Sequence, residues 1–160
     1  MSHATLVRRF GTGNVVFRTV NAAEGERAKA SIVFPGDPAR RVEIIWLDEK
    51  RRRRPAQVSV SDPGAWRTPE GTGVGDSLKA VEAANGRPFV LYGFGWDYGG
   101  TVVDWEGGRL ARTGCRLLLR LTPRPGPYAG EADGERAFRS DSAVMGAIDP
   151  VVYEMLLTFE

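Results

Sequence analysis

The sequence predicts an α+β fold, with a single domain over residues 1–160, a mostly antiparallel sheet of about eight strands and two or three short helices. Segments in which apolar and polar residues alternate recur along the chain, and Pro- and Gly-rich turns separate them. The helical segments are too few to connect parallel strands, because each such connection needs a crossover of about a dozen residues or more. A chain of 160 residues suits one domain and can bury roughly two thirds of its unfolded surface.

The clearest predicted element is a hairpin in the first third of the chain. Its strands, "ASIVF" and "RVEIIWLD", flank the turn "PGDPAR" at residues 35–40. Side chains two apart in a strand point to the same face, so Val42, Ile44 and Trp46 are predicted to face the core together.

The other predicted elements are shorter. Strand-like alternation is found in six further segments: 14–20, 57–61, 88–97, 101–106, 115–122 and 151–159. Helical signals are found in three places: 5–11 with Thr5 as N-cap, 77–84 with Asp76 as N-cap, and one turn capped by Ser140. The second helix has the strongest signals, because Leu78 and Val81 share a face and Asn85-Gly86 is a typical helix end.

Composition excludes several kinds of site. The single cysteine, Cys115, excludes an intrachain disulfide and argues against a cysteine-rich zinc site. The single histidine, His3, argues against a histidine-based catalytic triad or metal site. We therefore expect no metal and no cofactor. No apolar run approaches the roughly 20 residues of a transmembrane helix.

Residues 115–136 divide into a strand and a loop. Cys115 alternates with Leu117, Leu119 and Leu121, which predicts a buried, unreactive thiol. The segment 123–136 that follows is rich in proline and glycine and is predicted to be a long loop without core residues.

The run "KRRRRP" supplies a first candidate site. Arg51, Arg52, Arg53 and Arg54 could bind an anionic partner. Their position between two strands favours a solvated loop, exposed and mobile. No base-stacking aromatic residues are interleaved with the run, which argues against nucleic acid.

A second candidate site lies in "YGFGWDYGG", residues 92–100. If Tyr98-Gly99-Gly100 forms a hairpin loop, Gly93 lies across from Trp105, and the indole covers a bare backbone. This packing interpretation accounts for the glycines without any ligand.

The other face of the same predicted hairpin carries the functional interpretation. It brings together three aromatic residues and two carboxylates: Tyr92, Phe94, Trp96, Asp104 and Glu106. Aromatic rings stack on the apolar face of a sugar and carboxylates accept its hydroxyl protons, so this set indicates a glycan-binding site. The two carboxylates also leave open a glycoside hydrolase, in which such groups lie about 5–9.5 Å apart.

At residues 68–108 the chain resembles a group of small uncharacterised bacterial secreted, periplasmic or lipoprotein domains. The shared features are "TPEGTGVGDSL" before the short helix, "NGRPF" after it, and "GFGWDYGG". The start "FGTGNV" and the segment "DPVVY" at 149–153 are similar to the same group. The resemblance implies a location in the cell envelope and implies no activity.

These observations lead to one expectation about function with two alternatives. We expect a non-catalytic binding or interaction module of the bacterial cell envelope, periplasmic or secreted, whose partner is a glycan or an envelope protein. The short segment "SHA" at residues 2–4 has small residues such as signal peptidase reads, in keeping with export. The alternatives are a glycan hydrolase that uses Asp104 and Glu106, and a protein whose arginine run binds an anionic partner.

Overall fold

The computed structural model describes residues 1–21, 25–112, 115–126 and 128–159. These residues form three α-helices and nine strands, in this chain order: α1 (His3–Phe10), β1 (Val15–Asn21), β2 (Arg27–Val33), β3 (Val42–Asp48), β4 (Arg53–Val60), α2 (Leu78–Asn85), β5 (Val90–Tyr92), β6 (Val102–Asp104), β7 (Arg116–Thr122), β8 (Ala137–Arg139), α3 (Ala143–Ile148) and β9 (Val151–Thr158).

The strands form two sheets, and every neighbouring pair is antiparallel. The large sheet has six strands in the order β1-β2-β3-β4-β9-β7, and the small sheet has three in the order β6-β5-β8. The predicted α+β class with a mostly antiparallel sheet is confirmed, although nine strands replace the eight expected. The additional strand is β8, which lies in a segment rich in charged residues and glycine.

Strand register assigns each side chain of the large sheet to one of two faces. Val60, Met155 and Leu119 are consecutive cross-strand partners, and all three are buried. We call their side of the sheet the core face. The opposite side, the open face, carries two rows of partners that cross all six strands: Val16, Ile32, Glu43, Ser59, Leu156 and Leu118, and Arg18, Ala30, Ile45, Gln57, Thr158 and Arg116.

The helices and the small sheet pack on the core face. One continuous cluster of buried residues joins this face to Leu6 of α1, Val81 of α2, Leu91 of β5 and Met145 of α3. The predicted burial of Leu78 and Val81 is confirmed, as is that of Val42, Ile44 and Trp46. Each covering element contributes apolar side chains, which drive its association with the sheet.

Each α-helix begins after a serine whose hydroxyl accepts a backbone N–H of the first turn, and these serines are Ser2, Ser77 and Ser142. The three predicted caps were therefore wrong. Asp76 instead accepts the N–H of Gly73 and pairs with Arg67 at 3.0 Å. Ser140 accepts the N–H of Phe89 and donates to Glu82, which ties β8 to α2. The predicted end of α2 is confirmed, with Gly86 in the left-handed conformation.

The segment around the arginine run differs from the predicted loop. Strand β4 begins at Arg53, so Arg53 and Arg54 are strand residues and only Arg51 and Arg52 lie in the turn. Arg52 and Arg54 have positive φ angles of 52° and 59°. A register shift in the β3–β4 pairing at Ile45/Trp46 accompanies this geometry.

Two further predictions, both about the second half of the chain, need correction. Cys115 lies before β7 and is half-buried rather than buried. The segment 123–136 contains a core residue, Ala132, which is fully buried. Pro127, which falls within this predicted loop, lies outside the described residues. Within the described ranges, none of the helices has the length and hydrophobicity that a bilayer-spanning helix needs.

Candidate functional site

The hairpin that carries the candidate aromatic residues is shorter than predicted and has another register. Val90 pairs with Asp104 and Leu91 with Val102, so Val103 is an extra residue at a bulge. The prediction that Gly93 lies across from Trp105 is therefore wrong. Trp105 is buried beyond the end of β6, where its ring packs on Phe89 at a centroid distance of 5.3 Å.

Position 93 needs a glycine because the backbone of residues 132–134, and not Trp105, lies against it. The Gly93 N–H donates to the carbonyl of Arg136, and a Cβ at this position would lie 2.3 Å from the carbonyl oxygen of Ala132. The backbone of 132–134 thus occupies the space that a side chain at residue 93 would need. The sequence analysis expected another part of the chain to pack over Gly93. It named Trp105, whereas the backbone of 132–134 lies there.

Phe94 belongs to the core and not to a binding surface. Its side chain is 4% exposed, and its ring meets the edge of Tyr128 at 6.0 Å. Its backbone N–H donates to the carbonyl of Ala132, and its carbonyl accepts the N–H of Gly134. These bonds turn the chain away from the hairpin and place Phe94 on the opposite side from the other predicted site residues.

Three aromatic side chains at the surface remain in contact. The rings of Tyr92 and Trp96 lie 5.3 Å apart at 64°, and those of Trp96 and Tyr98 lie 5.5 Å apart at 67°. We call Tyr92, Trp96 and Tyr98 the aromatic strip. The Trp96 indole is oriented by its N–H, which donates to the carbonyl of Gly93. At the far end, the Arg120 guanidinium lies 5.9 Å from the centre of the Tyr98 ring.

Asp104 lies on the same side of the small sheet as Tyr92. Val90 is the cross-strand partner of both Asp104 and Arg139, and Tyr92 follows Val90 by two residues, so all four side chains share the outer face. The fully buried Leu91, which lies between them in β5, confirms that the inner face is the other one. This part of the predicted constellation is present, although the predicted register was wrong.

Glu106 lies in a turn after β6, with a φ of 53°. The Asp104 carboxylate accepts the backbone N–H of Glu106 at 2.7 Å, and Arg87 donates to the Glu106 carbonyl. One oxygen of Asp104 is therefore engaged in holding the turn. Asp104 lines a cavity of about 200 Å³ between β6 and β7, and Glu106 is not among the residues that line it.

Charges near the outer face are partly neutralised. Arg139 forms two hydrogen bonds of 3.0 Å with Asp141. These bonds raise the pKa of Arg139 and lower the pKa of Asp141, and the charges of Glu106 and Glu82 add to the shift of Arg139. Both groups keep their charge at neutral pH, so Arg139 is held by Asp141 rather than presented to a ligand.

The four arginines of the predicted anionic-partner site have different environments. Arg51 pairs with Asp48 at 3.8 Å, and the Arg52 guanidinium stacks over the Phe17 ring at 4.1 Å. Arg53 and Arg54 are exposed at the start of β4. The first two therefore have intramolecular partners, and binding of an anionic partner by this run remains a prediction.

Sequence reasoning missed a groove between α3 and the segment 123–131. Its volume is about 530 Å³, and it is lined by ten residues: Pro123, Arg124, Pro125, Gly126, Tyr128, Glu131, Ala143, Val144, Ala147 and Ile148. The Tyr128 hydroxyl donates to Asp133 and accepts the N–H of Ala132. Burial is the main reason that the pKa of Tyr128 is raised to about 12, and the hydrogen bond to Asp133 is the second. The proline spacing of 123–125 was visible in the sequence, but its packing on a distant helix was not.

The part of the chain that the structure describes holds no group of three or more His, Cys, Asp or Glu side chains that could bind a metal ion. The contacts of Tyr92, Trp96 and Tyr98, and the face that Asp104 shares with Tyr92, make the aromatic strip with Asp104 the candidate site. Comparison of the chain with protein-family models, with curated proteins and with solved structures finds no match.

Proposed function

We propose that this protein is a non-catalytic binding module of the bacterial cell envelope, and that the aromatic strip binds a soluble sugar chain. The observation that carries the proposal is the strip itself, three adjacent rings at the surface, with the exposed carboxylate of Asp104 on the same face of the small sheet as Tyr92. Surface tyrosine and tryptophan residues combine an apolar ring with a polar group, which suits a ligand with apolar faces and hydroxyl edges.

The spacing of the strip supports a chain of sugars rather than a single one. Its centroid distances of 5.3 and 5.5 Å give a strip about as long as two or three pyranose rings joined end to end. The exposed carboxylate of Asp104 has a second oxygen that can accept a sugar hydroxyl.

The ring angles distinguish a soluble chain from a crystalline surface. A flat polysaccharide surface can stack only on rings that are nearly coplanar, and rings at 64° and 67° to their neighbours cannot all contact one plane. A single flexible chain can turn between sugars and contact each ring in succession. We therefore expect binding of soluble oligosaccharides and weak retention on insoluble chitin or cellulose.

The carboxylates favour binding over hydrolysis. Asp104 and Glu106 are both exposed, and the Asp104 carboxylate already accepts the Glu106 N–H. General acid–base chemistry is favoured where a closed site excludes water and fixes the two groups around the scissile bond. The hydrolase alternative would require Glu106 to reach the ligand that occupies the strip.

The first experiment measures binding of soluble β-1,4-linked N-acetylglucosamine hexamers and of soluble peptidoglycan glycan strands by calorimetry. Trp96→Ala and Tyr98→Ala should each weaken binding about three- to tenfold, the effect of losing one aromatic contact. The matched control is Trp66→Ala, because Trp66 is 37% exposed and lies elsewhere, with its indole N–H bonded to the Arg40 carbonyl.

Two outcomes would contradict the proposal. Binding that Trp66→Ala and Trp96→Ala weaken equally would show that the strip is not the site. Release of new reducing ends by the wild-type protein, abolished in Asp104→Asn, would instead support the hydrolase. Cell fractionation of the source bacterium tests the envelope location separately.

A further inference from the structure

Strand β1 forms one edge of the large sheet. It has seven residues, and among the residues that the structure describes it pairs on one side only, with β2. An edge strand presents backbone N–H and C=O groups that can pair with another strand, and proteins normally limit this with charges or covering segments. Arg18 and Thr19 are exposed, so the edge is accessible at its centre.

The position of Arg18 restricts what can pair with this edge. Arg18 is the fourth of the seven residues, and its side chain forms no hydrogen bond or ion pair with any described residue. If two copies paired antiparallel about the middle of β1, the two Arg18 side chains would lie directly opposite each other. Like charges in that position are destabilising, so this central register is disfavoured for a second copy of the chain.

A hollow on the open face lies beside the same edge. Its volume is about 430 Å³, and it is lined by six residues: Arg18, Thr19, Val20, Asn21, Arg41 and Glu43. On this face β2 contributes the small side chains of Ala28 and Ala30 beside Val20 and Arg18, and Ile32 beside Glu43. An ion pair with Glu43 holds the Arg41 guanidinium in place. Two guanidinium groups and one carboxylate give the hollow a net positive charge.

We propose that the β1 edge binds an extended acidic peptide, which adds a strand to the large sheet and places carboxylates in the hollow. Alternate side chains of an extended peptide lie on one face, about 6.6–6.8 Å apart, so glutamates at every second position would all face Arg18 and Arg41. Backbone pairing supplies affinity in this mode of recognition, and the charged hollow supplies specificity. The proposal uses a surface separate from the aromatic strip.

The test uses a fluorescein-labelled octapeptide that alternates Glu and Thr, measured by anisotropy at low and at physiological salt. Arg18→Glu should weaken binding at least tenfold, because it replaces attraction by repulsion at the centre of the edge. The matched control is Arg116→Glu, since Arg116 is an exposed arginine at the other end of the same cross-strand row. This variant should bind within about twofold of the wild type.

Two further measurements separate strand addition from charge alone. Bound peptide should slow amide hydrogen exchange at residues 15–21, and an octapeptide of alternating Lys and Thr should bind Arg18→Glu better than the wild type. Equal weakening by Arg116→Glu would overturn the proposal. So would undiminished binding of a peptide N-methylated at alternate residues, or a dimer in solution whose 15–21 amides are protected without peptide.

Discussion

The two faces of the large sheet are built from alternate residues of the same strands, yet they are buried in different ways. On the core face, Val60, Met155 and Leu119 form a buried row under helices and the small sheet. On the open face, the adjacent row of Ser59, Leu156 and Leu118 contains one polar and two apolar side chains. A shift of one residue therefore separates a buried core from a mixed surface.

Some apolar side chains of the open face are fully buried although they lie outside the core cluster. Ile32 is 0% exposed, but neither Ile32 nor Ala30 belongs to the core cluster. Long charged side chains can lie along apolar surface while their charged ends stay in water. Complete burial thus occurs on both faces, and we expect its energetic consequences to differ.

The largest expected effect is the difference in stability between truncating Leu119 and truncating Leu118, adjacent residues of β7 on opposite faces. Leu119→Ala should lower the free energy of unfolding by about 2–5 kcal/mol, because it leaves a cavity in the core. Leu118→Ala should cost about 1 kcal/mol, because Leu118 is half-buried on the open face. Urea denaturation of both variants measures the difference. Equal losses would show that something covers the open face in solution.

The second prediction concerns the segment 132–134, which packs against Gly93 at the end of β5 in the small sheet. Gly93→Ala should destabilise the fold by about 1–3 kcal/mol, because the new Cβ would collide with the Ala132 and Gly134 carbonyls. Gly36→Ala is the control, since no atom lies within 4 Å of a Cβ there. Thermal unfolding of the two variants gives the comparison. If Gly93→Ala were as stable as the control, the 132–134 segment would not pack here.

The third prediction concerns α1, which covers part of the core face through His3. The His3 ring bonds to the Ser31 hydroxyl at 2.8 Å, and that hydroxyl also accepts the Trp46 indole N–H. Burial, with the charge of Arg52, lowers the pKa of His3 below 6.5. The fold therefore favours neutral His3, and its stabilising effect, present above pH 6.5, is lost as pH falls through the lowered pKa.

Unfolding measured between pH 8 and pH 5 should show this loss, and His3→Ala should remove it. At pH 8 the variant should be less stable by about 0.5–1.5 kcal/mol, the usual contribution of one hydrogen bond. The same pH dependence in wild type and variant would show that His3 does not control the docking of α1.

The smallest effect is expected at Glu154 on the open face. Its contribution to the pH dependence of stability has the opposite sign to that of His3. Burial raises the pKa of Glu154, and the charge of Arg120 opposes this shift. Protonation of Glu154 in the folded state is therefore favoured, and its contribution to stability decreases as pH rises through the raised pKa. Glu154→Gln should change stability at pH 7 by less than about 1 kcal/mol, and should remove this part of the pH profile.

Local sequence signals predicted the large sheet better than the small one. The hairpin of β2 and β3 depends on a Pro/Gly turn and on alternation within its own strands, and both signals lie within about twenty residues. For the same reason, the strand 151–159 and the end of α2 were predicted close to their observed positions.

The aromatic stretch was predicted less well, because its conformation depends on a distant segment. Backbone bonds from 132–136 to Gly93 and Phe94 end β5 early, and no pattern within 92–100 reveals them. Of the predicted residues, Tyr92 and Trp96 are in contact and Asp104 shares a face with Tyr92, whereas Phe94 is buried in the core. The prediction left out Tyr98, and ligand binding by these residues stays a prediction.

The position of β9 between β4 and β7 has a consequence for synthesis on the ribosome. The meander of β1 to β4 can form early, but β7 has no partner strand in the large sheet until Val151–Thr158 has been made. Val60 then pairs with Met155, a contact between residues far apart in the chain, and contacts of this kind slow folding. Until that step, the edges of β4 and β7 are open to chaperones and to other nascent chains.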